Sequence, residues 1–122
     1  MTPSRGWQDI EPRLYAEPYV FVSVAEVPPG VRPFALIRED EGTTLVTTRD
    51  EADRAGLPYA YVAARITLTI NSSLTDVGLT AAFSRVLADA GISCNVVAGL
   101  AHDHLFVDAG RGPEAASLLR QL

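Results

Sequence analysis

The sequence predicts an α+β fold of antiparallel sheets with helices on one face, and three observations lead to this prediction. Apolar residues alternate with a period of two in several segments, which is typical of strands. Two later segments carry apolar residues at helical spacing. From residue 62 onward the predicted order is strand, helix, strand, strand, helix. That order is one strand short of the ferredoxin-like β-α-β-β-α-β unit.

Composition limits the class of protein. A chain of 122 residues, 48% of them hydrophobic, can form one compact domain or two small modules that share a core. The net charge is -5 and no basic cluster is present, which argues against nucleic acid as a partner. No apolar run approaches the roughly 20 residues that span a bilayer, and residues 1–8 lack the apolar centre of a signal peptide. Cys94 is the single cysteine, so we expect a cytoplasmic protein without an intrachain disulfide.

The first half of the chain reads mainly as strands. Residues 1–17 are predicted to form a leader with a short helical piece around residues 7–14. Residues 19–24 alternate as a strand, which Pro28-Pro29-Gly30 ends. Residues 33–38 and 43–47 are predicted strands around an acidic turn, in which Gly42 can adopt a positive φ.

A short helix and a long strand are predicted next. Thr48 and Glu51 match a capping box, in which Thr48 is the N-cap and Glu51 reaches back to the Thr48 N–H. Gly56 closes this helix. Residues 59–70 then read as a strand with Ile66, Leu68 and Ile70 on one face.

The second half contains the clearest helix. Residues 77–90 carry an apolar stripe, with Asp76 or Thr75 expected at the N-cap and Gly91 at the end. Residues 93–98 and 103–108 pair as a hairpin, and Gly112-Pro113 opens a last helix.

These elements divide the chain into the leader, an N-terminal module at 18–61 and a C-terminal module at 62–122. The strand that the C-terminal module lacks must come from elsewhere, and residues 19–24 are the expected donor.

The helix start near Gly78 is a candidate anion site. A helix N-terminus offers unpaired N–H groups and a partial positive charge, so a carboxylate can bind there. Gly78 would let a ligand approach the backbone, and Asp103 or Asp76 could accept hydrogen bonds from an amino group. The alternative stays open that Asp76 only caps the helix and that Gly78 only packs against the sheet.

The sequence gives little indication of a catalytic site or a metal site. In a strand His102 and His104 share a face while Asp103 points away, so the three cannot bind one ion. Cys94 is the single soft ligand nearby, and a structural role for the histidines is favoured over a metal. The serines lack a nucleophile-elbow pattern, and the glycines form no phosphate-binding or dinucleotide-binding fingerprint. We therefore expect no enzyme and no cofactor.

Four second-half motifs resemble the small stand-alone ACT-domain proteins of bacteria, which are similar to the regulatory modules of aspartokinase and of arginine sensors. They are Asn71-Ser-Ser-Leu, Val77-Gly-Leu-Thr-Ala-Ala, Gly91-Ile-Ser-Cys-Asn-Val-Val-Ala and His102-Asp-His-Leu-Phe-Val. Tyr19-Val-Phe-Val and Arg38-Glu-Asp-Glu-Gly-Thr-Thr-Leu-Val fit the family's first module. The resemblance covers roughly residues 14–122. It implies two ferredoxin-like ACT modules packed side by side, and a homodimer.

The resemblance also implies a function: regulatory binding of an amino acid or similar small zwitterion between ACT modules, in the service of a metabolic enzyme. The implied contacts are Thr75, Asp76, Val77, Gly78, Leu79 and Thr80, with Asn95 and Asp103 opposite. Relatives commonly carry His where Asn71 stands, so ligand specificity can differ. The alternative is a ligand-free protein–protein interaction module.

Overall fold

The computed structural model describes residues 10–69 and 77–122. These residues form a mixed α/β fold. The strands are β1 (Pro12–Val24), β2 (Ala35–Glu39), β3 (Gly42–Thr48), β4 (Val62–Leu68), β5 (Cys94–Ala98) and β6 (Asp103–Asp108). The helices are α1 (Arg49–Ala55), α2 (Leu79–Asp89) and α3 (Gly112–Leu119), with a 3₁₀ turn at Ala109–Arg111. β1 with β3, β2 with β3 and β5 with β6 all pair antiparallel, as predicted.

The chain has two compact units. The smaller unit is residues 17–63, and the larger unit is formed, among the described residues, by 10–16, 64–69 and 77–122. The division falls inside β1 and inside β4, so each of these strands contributes residues to both units. The predicted module boundaries at 17/18 and 61/62, understood as limits of parts that fold alone, stay a prediction.

The smaller unit is a three-stranded antiparallel sheet in the order β2-β3-β1. β1 pairs with β3 from Tyr19 opposite Thr48 to Val24 opposite Thr43. Glu39 stands opposite Gly42, whose φ of 151° closes the tight turn, as the sequence predicted. The unit has its own apolar core, formed by Val20, Val22, Val31, Leu45 and Ala52.

Helix α1 begins at the predicted N-cap but with a different side-chain pairing. Thr48 Oγ1 accepts the Glu51 N–H at 3.3 Å, and Gly56 ends the helix with φ 69°. The prediction that Glu51 reaches back to Thr48 is wrong, because its carboxylate accepts the buried Thr47 hydroxyl at 2.7 Å instead. A buried hydroxyl needs a partner, and Glu51 supplies it.

In the larger unit the strand order is β1-β4-β6-β5. β1 therefore occupies the position of the strand that the C-terminal half lacks, as the sequence analysis expected of the N-terminal half. Within this unit the donated residues are those at 12–16 rather than the predicted 19–24. The backbone N–H and the hydroxyl of Thr69 both donate to the carbonyl of Glu11, which lies next to the start of β1.

A helical piece was predicted at residues 7–14, and this prediction is wrong for residues 12–14, because Pro12–Val24 is one continuous strand. Residues 1–9, including the rest of that predicted helix and most of the leader, lie outside the described part of the chain.

Three side chains at the start of β1 make contacts in the larger unit. Leu14 packs on the core of this unit. The guanidinium groups of Arg13 and Arg65 lie 4.7 and 4.0 Å from the ring centre of Tyr15. Arg65 and Tyr15 are 50 positions apart in the chain, so no local period reveals their contact.

Helices α2 and α3 cover one face of the larger unit's strands. The buried residues of this core are Ile10, Ala64, Ile66, Leu68, Leu79, Phe83, Leu87, Ile92, Leu105, Val107, Ala115, Ala116 and Leu119. The predicted face of β4 is confirmed for Ile66 and Leu68, whereas Ile70 lies outside the described residues. Within the described ranges, no helix combines the length and apolar character needed to cross a membrane.

The C-terminal end of α2 is closed by glycine and by arginine. Gly91 has φ 75° and donates its N–H to Ala88, as predicted for the residue after the helix. Arg111 donates to the carbonyls of Ala90 and Gly91 at 3.1 and 3.2 Å while forming a two-bond ion pair with Glu114. A cation at this end of a helix complements its partial negative charge.

Candidate functional site

The start of α2 and the β5–β6 turn lie at the same end of the larger unit. A tight turn joins the end of α2 to β5, with the Ile92 N–H donating to Leu87 at 2.9 Å. The 11 residues of α2 span about 16 Å, and the five residues of β5 span about 17 Å. Since α2 packs on β5 and runs back along it, its start lies near the end of β5, where Ala98 pairs with Asp103.

The N-cap position of α2 is held by Gly78, with φ 104° and no side chain capping the helix. The prediction that Asp76 or Thr75 occupies the N-cap is therefore wrong, and both residues lie outside the described part of the chain. No side chain of the described residues caps the first N–H groups of α2. The helix start thus keeps the anion-binding capacity that the sequence suggested.

The other residues at the helix start differ in exposure. Leu79 is buried in the core, so its side chain is turned away from any ligand at this end, although its backbone N–H belongs to the helix start. Thr80 is exposed, and Val77 is 87% exposed. Ligand contact by these predicted residues stays a prediction.

Asp103 faces the helix side of the sheet. It is the first residue of β6 and shares a face with the buried Leu105 and Val107, two and four positions later. It is half-buried, and burial raises the pKa of its carboxyl above the ordinary value while the His102 imidazole opposes the shift. Among the described residues we find no hydrogen bond to this carboxyl. The geometry places a desolvated acceptor at the sheet end where α2 begins.

Asn95 is separated from Asp103. It pairs with Phe106, whereas Asp103 pairs with Ala98, so Asn95 and Asp103 lie on opposite faces of the β5–β6 hairpin. The expectation that both face the same ligand from one side of the sheet does not hold within one chain. Asn95 is exposed on an edge strand.

His104 and His102 lie in different surroundings. His104 lies on the face away from the helices, where its Nδ1 is 2.9 Å from the hydroxyl of the buried Thr67 on β4. Burial lowers the pKa of His104, and the charges of Arg65 and His102 lower it further. His104 therefore lies within hydrogen-bond distance of a side chain on β4. His102 Nδ1 is buried and has no hydrogen-bond partner within the described residues.

Two apolar side chains are strongly exposed at this end of the larger unit. Val77 precedes the helix start, and Leu100, in the β5–β6 turn, is 83% exposed. Together with Asp103 and Gly78 they define the candidate site.

A second concave feature escaped the sequence analysis. Gly30, Glu51 and Arg54 line a cleft in the smaller unit with three neighbours, Pro29, Val31 and Ala55. Two sequence features could have indicated this cleft. Opposite charges stand three residues apart on a predicted helix, and a Pro-Pro-Gly turn precedes that helix in the chain. That spacing is usually read as an exposed helix pair.

No group of three or more His, Cys, Asp or Glu side chains is arranged to hold a metal ion in the described ranges. Cys94 lies on the helix-facing side of β5, and burial raises the pKa of its thiol to about 11. A protonated thiol is a poor nucleophile and a poor metal ligand. The chemistry that the candidate site offers is therefore hydrogen bonding and charge pairing.

Comparisons with known proteins agree with this architecture. A family model described as an ACT domain matches residues 7–64. A Vibrio cholerae protein of unknown function, described as a possible transport protein, is 45% identical over 89% of this chain and 86% of its own, with a TM-score of 0.84. No curated protein matches the chain.

Two more distant structures show the same fold. An Agrobacterium tumefaciens protein is 19% identical with a TM-score of 0.69, covering 92% of this chain and 87% of its own. The regulatory subunit of aspartate kinase from Thermus flavus is 11% identical with a TM-score of 0.69, covering 91% and 95%. The chain belongs to the ACT-domain family, as its motifs suggested.

Proposed function

We propose that this chain is a regulatory protein that binds an amino acid or a similar small zwitterion. The family and its structural neighbours support a small-molecule-binding regulatory role in general terms. The ligand carboxylate is assigned to the open N–H groups at the start of α2, and the ligand ammonium to Asp103. Thr75, Asp76, Val77 and Thr80 complete the proposed contacts, of which Thr75 and Asp76 lie outside the described residues.

The observation that carries this proposal is the environment of Asp103. Its carboxyl is partly desolvated, lies on the helix side of β6, and has no hydrogen-bond partner among the described residues. An acceptor held in such a place destabilises the free protein, and a bound cation removes that penalty. Sites of this kind are found where ligands bind.

We further propose that the chain contains two ACT-like modules and works as a cytoplasmic homodimer. The two compact units and the β1-β4-β6-β5 order with α2 and α3 on one face support the modular reading. A ligand that contacts two modules or two subunits favours one arrangement of their interface, which a regulated metabolic enzyme can then detect. On this arrangement Asn95 contacts the ligand from a second copy, since it faces away from Asp103.

A thermal-shift screen of all proteinogenic amino acids against the purified chain tests this function. A ligand present at 100 times its dissociation constant adds about 2.7 kcal/mol of stability, which gives a clear rise in Tm for a protein of this size. One or a few chemically related hits are expected. A flat screen contradicts the proposal.

Isosteric variants assign the site. Asp103→Asn keeps the size of the side chain and removes the charge, so the shift produced by the hit should disappear. Asp89→Asn is the matched control, because Asp89 is an exposed residue at the other end of α2, paired with Arg85 at 3.5 Å. An unchanged shift in Asp103→Asn removes Asp103 from the site.

The exposure of Val77 and Leu100 favours a second candidate, a protein–protein interaction module that needs no ligand. On this reading the apolar pair contacts another protein rather than flanking a metabolite. A flat screen together with loss of self-association in Leu100→Asp, measured by sedimentation, supports this candidate. A monomeric protein with a clear amino-acid hit excludes it.

A further inference from the structure

The smaller unit has one helix, α1, where a ferredoxin-like unit has two. Its chain order is strand, loop, strand, strand, helix, and then β4, so β1 is followed by the loop at residues 25–34 where a β-α-β-β-α-β unit has its first helix. In the larger unit the corresponding element after β4 is α2. Within the smaller unit this loop, rather than a helix, therefore lies beside α1.

A cleft of about 150 Å³ lies between the loop and α1. The lining residues are Pro29, Gly30, Val31, Glu51, Arg54 and Ala55. Drug-sized ligands need about 300 Å³ or more, whereas a cavity of about 150 Å³ holds benzene. The cleft thus suits a molecule with about as many heavy atoms as benzene has.

The loop wall of the cleft is fixed by the fold. The Val31 N–H donates to the Pro28 carbonyl at 3.2 Å, and the Val31 side chain belongs to the core of the smaller unit. Gly30 has φ 82°, and a Cβ atom at this position would meet no atom within 4 Å. The space beside Gly30 is open, and a rigid wall reduces the entropy cost of binding.

Glu51 presents a fixed negative charge to the cleft. Its carboxylate accepts the Thr47 hydroxyl at 2.7 Å and the backbone N–H of Arg32. These bonds, chiefly the one from Thr47, lower the pKa of Glu51, and Arg54 lowers it further. A carboxylate offers about four acceptor positions, so two bonds leave capacity for a ligand.

Arg54 presents a positive charge to the same cleft, one helical turn after Glu51. It is exposed and forms no ion pair in the described part of the chain. A guanidinium group binds carboxylates with two parallel hydrogen bonds. The cleft therefore holds one group for a cation and one for an anion, both on α1.

We propose that this cleft binds a small zwitterion of about the size of alanine, with its ammonium on Glu51 and its carboxylate on Arg54. The site is separate from the one proposed at Asp103, lies wholly within the smaller unit, and does not depend on it. Its opposite charges require both groups on one ligand, which distinguishes it from a site for a simple anion or a simple cation.

The test is a titration of the full ¹⁵N-labelled chain with L-alanine, followed by the backbone amide signals in NMR spectra. Saturable shifts are expected at Gly30, Val31 and Ala55. Propionate lacks the ammonium and ethylamine lacks the carboxylate of alanine. Each should bind at least about tenfold more weakly, because each loses one charge-assisted hydrogen-bonded contact.

Three variants complete the test. Arg54→Gln and Glu51→Gln should each weaken alanine binding by about tenfold or more, and Gln at position 51 can still accept the Thr47 hydroxyl. Arg49→Gln, on the same helix but outside the cleft lining, should leave binding unchanged. Absence of saturable shifts at the cleft amides, or equal binding of alanine and propionate, overturns the proposal.

The same spectra separate this proposal from the function proposed above. Shifts confined to residues 77–80 and 103–104 support the Asp103 site and overturn the cleft. Shifts confined to the cleft amides that persist in Asp103→Asn support the cleft alone.

Discussion

Asp103 holds a carboxyl where its charge is disfavoured. Because burial raises the folded-state pKa above the unfolded value of about 3.9, the folded state binds more protons than the unfolded state between these two values. The contribution of Asp103 to stability is therefore full below about pH 3.9 and is lost as the pH rises through the folded-state pKa.

We predict that Asp103→Asn is more stable than the natural chain at pH 7 and that the difference shrinks toward zero in acid. Urea unfolding of both proteins across this pH range measures it. Residues that serve binding often cost stability in this way. A variant that is less stable at pH 7 would show that the carboxyl has a structural partner.

Cys94 should react slowly in the native protein. With its pKa raised to about 11 by burial, on the order of one thiol in a thousand is ionised at pH 8. We predict iodoacetamide labelling roughly a hundredfold slower than that of a free cysteine. Mass spectrometry of the native and the denatured chain gives the two rates, and equal rates would contradict the burial of this thiol.

Among the elements, α3 depends on the absence of a side chain at its first residue. A Cβ atom on Gly112 would lie 2.9 Å from Ala64 Cβ and 3.2 Å from Leu14 Cδ1. Both neighbours belong to packed strands, so they cannot move away freely.

We predict that Gly112→Ala costs about 1–3 kcal/mol of unfolding free energy through overpacking. Gly110→Ala is the control, since a Cβ atom there meets only Asp108 Oδ1 at 3.5 Å, and it should stay within about 0.5 kcal/mol. Urea denaturation measures both. Equal effects of the two substitutions would argue against close packing of α3 on the strands.

The helices and hairpins were the most predictable elements. The apolar stripe that includes Phe83 and Leu87 predicted a helix at residues 77–90, and α2 begins two residues later and ends one residue earlier. Asp103–Asp108 is the strand that was predicted. The N-cap of α2 was missed, because Asp and Thr are preferred over Gly at this position, and Gly78 was instead expected to let a ligand approach the backbone or to pack against the sheet.

At the scale of the whole molecule, the larger unit draws on both ends of the chain. Residues 62–122 contain β4, α2, β5, β6 and α3 but lack the part of β1 at residues 12–16 that neighbours β4. Without it, β4 would have a free edge, and the core would lose Ile10 and Leu14.

We therefore predict that a fragment of residues 62–122 shows no cooperative thermal unfolding. Circular dichroism measures this, and a synthetic peptide of residues 10–24 added in trans should restore a transition where a scrambled peptide does not. A fragment that melts cooperatively alone would instead support the predicted module boundary at 61/62.

The order and type of most elements follow from residue patterns alone, because these signals are local. Strand alternation, helical spacing, the N-cap at Thr48 and the glycine turns at 42, 56 and 91 each depend on residues within a few positions of one another. The extent of β1, the partner of Glu51, the orientation of Asn95 away from Asp103 and the cleft beside Gly30 required the folded molecule. Each depends on which distant segments meet. The Thr69 hydroxyl donates to a carbonyl 58 positions earlier, and chain closure over such a distance leaves no local signal to read.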